Sequence, residues 1–172
     1  MKGEKEIGKV DAFGELCRRH GIKATHQRTE IYRELVRTNK HPDAETICGR
    51  VRRRIPEISL DTVYRALRLF EEMGIISRVG HCDDKTRFDA NTDPHHHFIC
   101  TRCRVIKDFC AENLNTLPIP PEVGKMGKIG CVRVVVLGIC KDCQAKRAAA
   151  ERIHPSSCFR VSPRRGNLGE RS

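Results

Sequence analysis

The sequence predicts an α+β fold in two parts, a helical first half and a strand-rich second half. Four segments with helical periodicity come first, and a β-hairpin pattern follows them. The second half contains short β-branched runs, of which Val132–Ile139 is the strongest. Helices followed by a hairpin are typical of a winged-helix domain, and the strand-rich remainder indicates a second domain.

The helical segments carry their own boundary signals. Residues 11–20 form the first predicted helix, which stops at Gly21. Thr25 caps the second, and Pro42-Asp43 opens a short third. Ser59 caps the fourth, whose predicted buried face comprises Val63, Ala66, Leu67 and Phe70, with Gly74 just beyond its end. In winged-helix folds the helix before the hairpin usually enters the major groove of DNA.

The remaining elements are shorter. Residues 75–79 and 86–89 are predicted as strands on either side of a turn at residues 80–85. Residues 97–100 and 105–109 are two further strands, and residues 117–121 are a proline-rich break. A short helix is predicted over residues 143–151, and the Arg-, Ser-, Pro- and Gly-rich residues 152–172 are expected to be disordered.

Charge and composition narrow the class of protein. The formal net charge is +11. The excess lies in the first half and in the tail, which is the pattern of a polyanion-binding module joined to a neutral unit, although a solvated basic surface would look the same. No run of about 18 apolar residues and no signal-peptide pattern is present, so we expect a cytoplasmic protein without a membrane span. The ten cysteines then indicate metal ligands or thiols.

Four of those cysteines form two C-x-x-C pairs, Cys100/Cys103 and Cys140/Cys143. Such a pair offers two thiolates to one ion from a single tight turn, and Zn²⁺ prefers four thiolates in a tetrahedron. A redox dithiol is the alternative, but it requires a strand-to-helix junction in a βαβ unit, which the sequence lacks. The four cysteines therefore predict a structural zinc site.

A second group of ligand-type residues surrounds the first cysteine pair. His95 and His97 are two apart, so an extended strand turns both to one face and His96 to the other. Asp89 and Asp108 lie on neighbouring predicted strands. Mixed imidazole and carboxylate ligands suit Fe²⁺, Mn²⁺, Zn²⁺ or Ni²⁺ and predict an exchangeable site, against the alternative of a solvent-exposed histidine run.

Several motifs together resemble the ferric uptake regulator family over roughly residues 10–147. They are Thr25-His-Gln-Arg28, His41-Pro-Asp-Ala-Glu45, Ser59-Leu-Asp-Thr-Val-Tyr64-Arg65, Arg87-Phe-Asp89, His95-His-His-Phe-Ile-Cys100 and the paired cysteine knuckles. The resemblance implies a homodimeric repressor that binds an inverted repeat in double-stranded DNA. Each subunit would have a winged-helix domain at residues 1–84, an α/β metal-binding dimerisation domain at residues 85–148, and a basic tail at residues 149–172.

The resemblance also implies roles for individual residues. His41, Asp89, His95, His97 and Asp108 would bind a regulatory Fe²⁺ or Mn²⁺, and Tyr64, Arg65, Arg68 and Arg28 are the DNA-contact candidates. Asp108 resembles the peroxide-sensing members, in which iron-dependent oxidation of ligand histidines, here His41 and His95, ends repression. A further side site described for some members is expected to be absent, because Asn115, Cys131 and Val132 stand at its positions.

Two alternatives stay open at the level of sequence. The first is an iron-, zinc- or nickel-responsive regulator of the same family. The second is a metal-dependent hydrolase that uses His95, His97 and Asp108, although neither a general-base motif nor a substrate cleft is visible in the sequence. We therefore expect a regulator and not an enzyme.

Overall fold

The structure, a computed structural model, describes the backbone of residues 2–82, 85–130 and 132–146 and the side chains of residues 8–80, 85–130 and 132–146. The predicted disorder of residues 152–172 lies outside the described residues. Two compact units are distinguished, residues 1–139 and residues 140–172. None of the described helices is both long and apolar enough to cross a membrane.

Four helices open the first unit: α1 (Lys2–Arg19), α2 (His26–Val36), α3 (Ala44–Val51) and α4 (Leu60–Glu72). The predicted start of the first helix at residue 11 is wrong, because α1 begins nine residues earlier at Lys2. Apolar periodicity reveals only the part of a helix that packs. Among the side chains of α1 that the structure describes, from Gly8 onward, Phe13 and Cys17 are buried.

The predicted caps Thr25 and Ser59 are confirmed, and Asp43 of the predicted helix opening Pro42-Asp43 caps α3. The side-chain oxygens of Thr25, Asp43 and Ser59 accept hydrogen bonds from the backbone N–H three residues later, which satisfies donors that the first helical turn leaves without partners. Gly21 and Gly74 follow α1 and α4 in the left-handed conformation, with φ of 67° and 70°. Each helix therefore ends where glycine removes the steric penalty of that conformation.

The helices share one apolar core. The predicted buried face of α4 is confirmed, since Val63, Ala66, Leu67 and Phe70 are all buried. Phe70 packs edge-on against Phe13 and Tyr32, and the rings of Phe13 and Tyr32 stack with centroids 4.6 Å apart. This core fixes α4 from one side and leaves its opposite face to solvent.

A two-stranded antiparallel hairpin follows, β1 (Ser77–Cys82) and β2 (Lys85–Asp89). The predicted turn over residues 80–85 is wrong, because β1 continues through Cys82. Gly80, with φ of 86°, lies where the register shifts between Arg78 and His81, so this glycine marks a β-bulge rather than a turn. The predicted strand start at residue 75 is also displaced, because Ile75 and Ile76 belong to the helical core.

The second sheet has three strands in the order β4 (Ile106–Phe109), β3 (His96–Cys100), β5 (Val135–Gly138). β3 is antiparallel to β4 and parallel to β5. The strongest predicted strand is shorter than residues 132–139, because only residues 135–138 pair. Val79 of the hairpin packs with Ile99 and Ile106 of this sheet, which joins the two sheets through a small apolar cluster.

Two short helices lie between β4 and β5: α5 (Glu112–Asn115) and α6 (Pro121–Met126). The predicted proline-rich break ends in a helix start, since Pro121 occupies the first turn of α6, where no N–H partner is needed. In the second unit, residues 141–146 are helical, which places the predicted helix start two residues earlier. The remainder of that predicted helix lies outside the described residues.

Candidate metal centres and recognition helix

Five side chains predicted as metal ligands converge in the first unit. His41 comes from the loop between α2 and α3, Asp89 ends β2, and Asp108 lies on β4. His95 precedes β3 and His97 lies within it. The three histidines and Asp89 are buried, with His41 and His97 only 1% exposed. Loop, hairpin and three-stranded sheet therefore each contribute to one polar cluster.

The ligand-type atoms of this cluster face one another. One such atom from each of His41, Asp89, His95 and His97 lies within 4.8 Å of the others. The Oδ2 atom of Asp89 is 2.8, 3.6 and 3.8 Å from the Nε2 atoms of His95, His97 and His41. The Oδ1 atom of Asp108 is 2.8 Å from Nε2 of His41 and 3.6 Å from Nε2 of His97. All three imidazoles thus present the same nitrogen to the two carboxylates.

The backbone of the α2–α3 loop aims His41 into the cluster. His41 has a φ of 48°, in the left-handed region that costs energy for a side chain with a Cβ. The next residue is tied to the hairpin, because the N–H of Phe88 donates to the carbonyl of Pro42 at 3.1 Å. Asp43 lies 3.7 Å from Arg87 while also capping α3. These contacts hold His41 beside the strand that ends in Asp89.

The hydrogen bonds of the cluster fit a metal ion better than a closed polar network. Nδ1 of His95 lies 2.7 Å from the carbonyl of Asp93 and donates a hydrogen bond to it. In a neutral imidazole this leaves the lone pair on Nε2. That Nε2 lies 3.0 Å from Nε2 of His97, which can donate to it when His97 is protonated at this nitrogen. Nε2 of His41 and Oδ2 of Asp89 are buried without a geometrically acceptable hydrogen-bond partner. A divalent cation would satisfy all of these atoms together.

The charge states of His41 and Asp89 match that requirement. Burial lowers the pKa of His41 and outweighs the opposing effect of Asp108 and Asp89, so its imidazole is neutral. Burial raises the pKa of Asp89, but the adjacent His97 imidazole and the hydrogen bond from the N–H of Asn91 outweigh it, so the net pKa is lowered and the carboxyl is ionised. Neutral imidazoles and ionised carboxylates are the forms that bind metals.

His96 is turned away from the cluster, as the strand alternation predicts. It is fully buried, its Nδ1 accepts from the N–H of Val134 at 3.3 Å, and its ring lies 5.5 Å from that of Phe109. His96 therefore packs within the three-stranded sheet and holds the backbone at Val134 beside β3.

The four predicted zinc ligands are two cysteine pairs, Cys100/Cys103 in the first unit and Cys140/Cys143 in the second. Cys103 is exposed and the other three are buried. Four thiols are the donor set that a structural zinc ion prefers, so the pairs remain candidate zinc ligands.

The first knuckle has the local structure that such a site needs. The N–H of Cys103 points at the Sγ atom of Cys100 at 3.5 Å, which stabilises a thiolate. Arg104 reverses the chain in the left-handed conformation, with φ of 61°, and its N–H donates to the carbonyl of Cys100 at 2.9 Å. The N–H of Thr101 donates to the carbonyl of Gly138 at 2.7 Å, which fixes the knuckle at the end of β5.

The DNA-contact candidates lie mainly on α4. Tyr64 is half exposed, and the side chains of Arg65 and Arg68 are 81% and 79% exposed. Each arginine pairs with a carboxylate one turn away, Arg65 with Asp61 and Arg68 with Glu72. Arg28 differs, because its guanidinium donates to the carbonyl of Lys23 at 2.7 Å and so also holds the turn before α2.

Sequence reasoning missed the residues that position the ligands. The carbonyl of Asp93 sets the tautomer of His95, while the Pro42–Phe88 bond and the Asp43–Arg87 pair place His41. The left-handed backbone of His41 was also not foreseen. Backbone acceptors leave no residue-type signal, so these contacts required three-dimensional placement.

Comparison with known proteins is consistent across sequence and structure. The sequence model of the ferric uptake regulator family matches residues 19–119. The peroxide-responsive repressor PerR of Staphylococcus aureus (strain Mu50 / ATCC 700699) is 36% identical over 129 residues, covering 75% of this chain and 87% of that protein.

Two solved structures share the fold. The Helicobacter pylori ferric uptake regulator, described with three functional metal-binding sites, has a TM-score of 0.62 and 27% identity, covering 82% of this chain and 93% of that chain. The Francisella tularensis ferric uptake regulator with iron has a TM-score of 0.60 and 25% identity, covering 72% and 96%. The chain therefore belongs to the ferric uptake regulator family, whose members are DNA-binding transcription regulators and not enzymes.

Proposed function

We propose that this protein is a metal-dependent transcriptional repressor that senses peroxide through a regulatory Fe²⁺ or Mn²⁺ site. The ligands would be His41, Asp89, His95, His97 and Asp108. The observation that carries the proposal is the approach of their Nε2 and carboxylate oxygen atoms to one another, including the buried atoms without partners. The name of the S. aureus relatives, peroxide-responsive repressor, supports the branch.

The positions of the ligands explain how metal binding would be coupled to DNA affinity. His41 is held by the helical part, whereas His97 and Asp108 belong to the three-stranded sheet and His95 directly precedes its strand β3. One ion held by all of them fixes the helical part relative to the sheet and shifts the population towards that arrangement. In the dimer this arrangement sets the spacing of the two α4 helices to match successive major grooves.

Peroxide sensing follows from the same residues. An Fe²⁺ ion held by these residues would supply the redox chemistry by which H₂O₂ oxidises an adjacent imidazole. His41 and His95 both direct Nε2 into the buried cluster, so we propose that they are the residues which the oxidation modifies. An oxidised imidazole ring is a poor metal ligand. If His41 no longer binds the metal, the metal no longer fixes the helical part relative to the sheet.

The choice between branches of the family rests on the ligand types. Carboxylates at 89 and 108 give a nitrogen and oxygen set without thiolate, which suits Fe²⁺ and Mn²⁺. Iron-, zinc- or nickel-responsive regulation remains the alternative within the family. Membership in a family of regulators removes the hydrolase alternative.

DNA binding and dimerisation complete the proposal. Tyr64, Arg65 and Arg68 on α4 would contact bases and phosphates of an inverted repeat, with Arg28 at the start of α2 on the backbone. A second copy would cover the apolar surface around β5, where Val135, Val136 and Leu137 are all exposed. Such a surface is costly in water and is typical of an interface. A structural zinc ion on the four cysteines would stabilise this part of the chain.

The domain organisation remains part of the proposal. A winged-helix domain and a metal-binding dimerisation domain account for the two sheets. β2 pairs with β1, and Phe88 packs into the helical core. We therefore infer that the boundary lies after Asp89 rather than after residue 84. The basic residues 149–172 would add non-specific affinity for DNA.

One experiment tests the sensing chemistry and the branch. Protein loaded with Fe²⁺ and protein loaded with Mn²⁺ are exposed to H₂O₂, digested and analysed by tandem mass spectrometry. Addition of one oxygen to His41 or His95 is expected in the iron-loaded sample alone. Gel-shift assays with an inverted-repeat operator should then show loss of binding in parallel. His26, an exposed histidine outside the cluster, is the internal control and should stay unmodified.

A second outcome separates the branches. If the iron-loaded protein keeps unmodified histidines and full operator affinity after peroxide, the peroxide-sensing proposal is wrong. Titration of the apo protein with Fe²⁺, Zn²⁺ and Ni²⁺ then identifies the responsive metal by the concentration that restores operator binding.

A further inference from the structure

A basic pocket lies on the helical part, formed by side chains from α2 and from α3 with the turn after it. Its volume is about 330 Å³, and it is lined by Glu34, Arg37, Arg50, Arg53 and Arg54. It shares no residue with the metal clusters or with the DNA-contact candidates on α4. A volume of this size accommodates a small polyanion or a short piece of a nucleic-acid backbone.

The carboxylates near the pocket neutralise only part of its charge. Glu34 pairs with Arg54 at 2.9 Å and with Arg37 at 3.6 Å. The buried Glu30 also pairs with Arg54, at 3.0 Å, and with Arg33. Two carboxylates thus serve three guanidinium groups.

Arg50 and Arg53 complete the positive lining. Neither has an ion pair with a carboxylate within the part of the chain that the structure describes. Their two charges remain available to an incoming anion. Guanidinium groups present donors in a planar fork that matches the oxygen atoms of a phosphate group.

Helix stabilisation accounts for part of this arrangement but not for all of it. Arg37 and Arg50 lie at the C-terminal ends of α2 and α3, where cations offset the partial negative charge of the helix dipole. Each helix end carries only about half an elementary charge. Four arginines and one glutamate line the pocket, so it stays positive after both helix ends are counted.

We propose that the arginine-lined pocket of Arg37, Arg50, Arg53 and Arg54 binds a phosphate-type oxyanion. Arg50 and Arg53 contribute the charge that no carboxylate offsets, and Arg54 is held in place by Glu30 and Glu34. The oxyanion has two possible sources. One is the backbone of DNA on which α4 lies, and the other is a free polyphosphate ligand.

The first arm of the test uses pyrophosphate and does not depend on DNA binding. Its affinity for the full chain is measured by calorimetry at low ionic strength, where screening is weak. The double variant R50Q/R53Q should bind pyrophosphate about tenfold or more weakly, from loss of two charge-assisted contacts. The variant R18Q/R19Q is the control, because it removes two exposed arginine charges from α1 outside the pocket.

A gain-of-affinity variant guards against simple misfolding. E34Q removes the carboxylate that lines the pocket and releases Arg37 and Arg54 from their partner. Pyrophosphate affinity should rise roughly threefold or more, in line with the strength of partly exposed ion pairs. A damaged fold would lower the affinity instead. Circular dichroism spectra should match those of the unmodified protein for all three variants.

The second arm measures the salt dependence of binding to non-operator duplex DNA. Each lost phosphate contact lowers the slope of log K against log salt by about 1, so R50Q/R53Q should lower it by about 1–2 relative to R18Q/R19Q. A changed slope with unchanged pyrophosphate affinity assigns the pocket to the DNA backbone. The reverse result assigns it to a free polyphosphate. E34Q should tighten binding in whichever arm R50Q/R53Q weakens it. If R50Q/R53Q behaves as the control in both arms, or if E34Q tightens binding in neither, the pocket binds no oxyanion.

Discussion

The Nε2 atom of His41 lies 2.8 Å from the Oδ1 atom of Asp108, although one residue belongs to the loop before α3 and the other to strand β4. Both face His97 and Asp89 in a buried space. A neutral imidazole and a carboxylate at this distance share a proton or a cation. This contact is the direct link between the helical part and the three-stranded sheet.

Replacing His41 with Ala should uncouple metal binding from DNA binding. The proposed ligand set loses its only member in the helical part. Replacing a residue that merely supports a ligand typically lowers metal affinity by about 10–100-fold, so removing the ligand itself should lower it by at least about 100-fold. Metal-stimulated operator affinity should disappear with it. Calorimetric titration with Mn²⁺ and gel shifts measure the two effects. His26→Ala should change neither, and unchanged metal stimulation in H41A would refute the coupling.

Replacing Cys143 with Ser should release the structural metal. A hydroxyl does not bind Zn²⁺ as a thiolate does, and structural zinc contributes about 10 kcal/mol or more in small zinc domains. Elemental analysis of the purified variant should show one zinc fewer per chain, and its melting temperature should fall. Cys110→Ser, at an exposed cysteine outside the quartet, should retain full zinc content. Equal zinc in both variants would contradict a four-cysteine site.

The caps of α3 and α4 provide a matched pair that separates stability from metal positioning. Asp43→Ala and Ser59→Ala each remove a side-chain cap, so each should lower the free energy of unfolding by about 1 kcal/mol. Asp43→Ala also removes the contact with Arg87 next to His41. It should therefore weaken Mn²⁺ binding, whereas Ser59→Ala should not. Equal Mn²⁺ affinities in the two variants would show that the Asp43–Arg87 pair does not position His41.

The same cap has a pH signature. Burial raises the pKa of Asp43, but hydrogen bonds from Thr46 and the charge of Arg87 outweigh it, so the net pKa is lowered. A lowered folded-state pKa stabilises the protein above the unfolded value of about 3.9, and this contribution is lost as pH falls through the folded value. Metal-free D43N should show a shallower loss of stability below about pH 4 than the unmodified protein, because Asn caps without titrating.

Introducing charge on β5 should prevent dimer formation. Leu137 is 67% exposed on an edge strand, so Leu137→Glu costs little in the monomer but places a charge in the proposed interface. Light scattering should report a monomer, and operator affinity should fall because two half-sites can no longer be bound together. Leu137→Ile keeps the apolar surface and should remain dimeric. A dimeric L137E protein would place the interface elsewhere.

Removing one exposed arginine of α4 should weaken DNA binding without unfolding the protein. Within the described part of the chain Arg65 pairs with Asp61 alone, at the surface, and such pairs stabilise a helix by about 0.3–0.5 kcal/mol. Arg65→Ala should therefore melt close to the unmodified temperature. A base contact would cost about 1–3 kcal/mol of operator affinity, measured by fluorescence anisotropy, against little change for Arg19→Ala. Unaltered operator affinity would exclude Arg65 from the interface.

Local patterns predicted much of the helical part. The caps Thr25 and Ser59, the opening of α3 at Pro42-Asp43 and the buried face of α4 depend on neighbouring residues, so sequence spacing was sufficient. The predicted position of the hairpin turn was wrong because it depends on pairing between strands and not on neighbouring residues. Gly80 has the same backbone freedom in a turn and in a bulge, and only the pairing of β1 with β2 distinguishes them.

For the candidate metal sites, too, the sequence determined some features and the tertiary structure others. The sequence alone determined the ligand chemistry: four thiols in two knuckles, and imidazoles alternating along a strand beside carboxylates. Tertiary structure decided that His41 joins that second set, that the Asp93 carbonyl orients His95, and that arginines from α2 and α3 enclose one pocket. Residue type and spacing carry local geometry, whereas contacts between distant segments arise only when helices and sheets pack together.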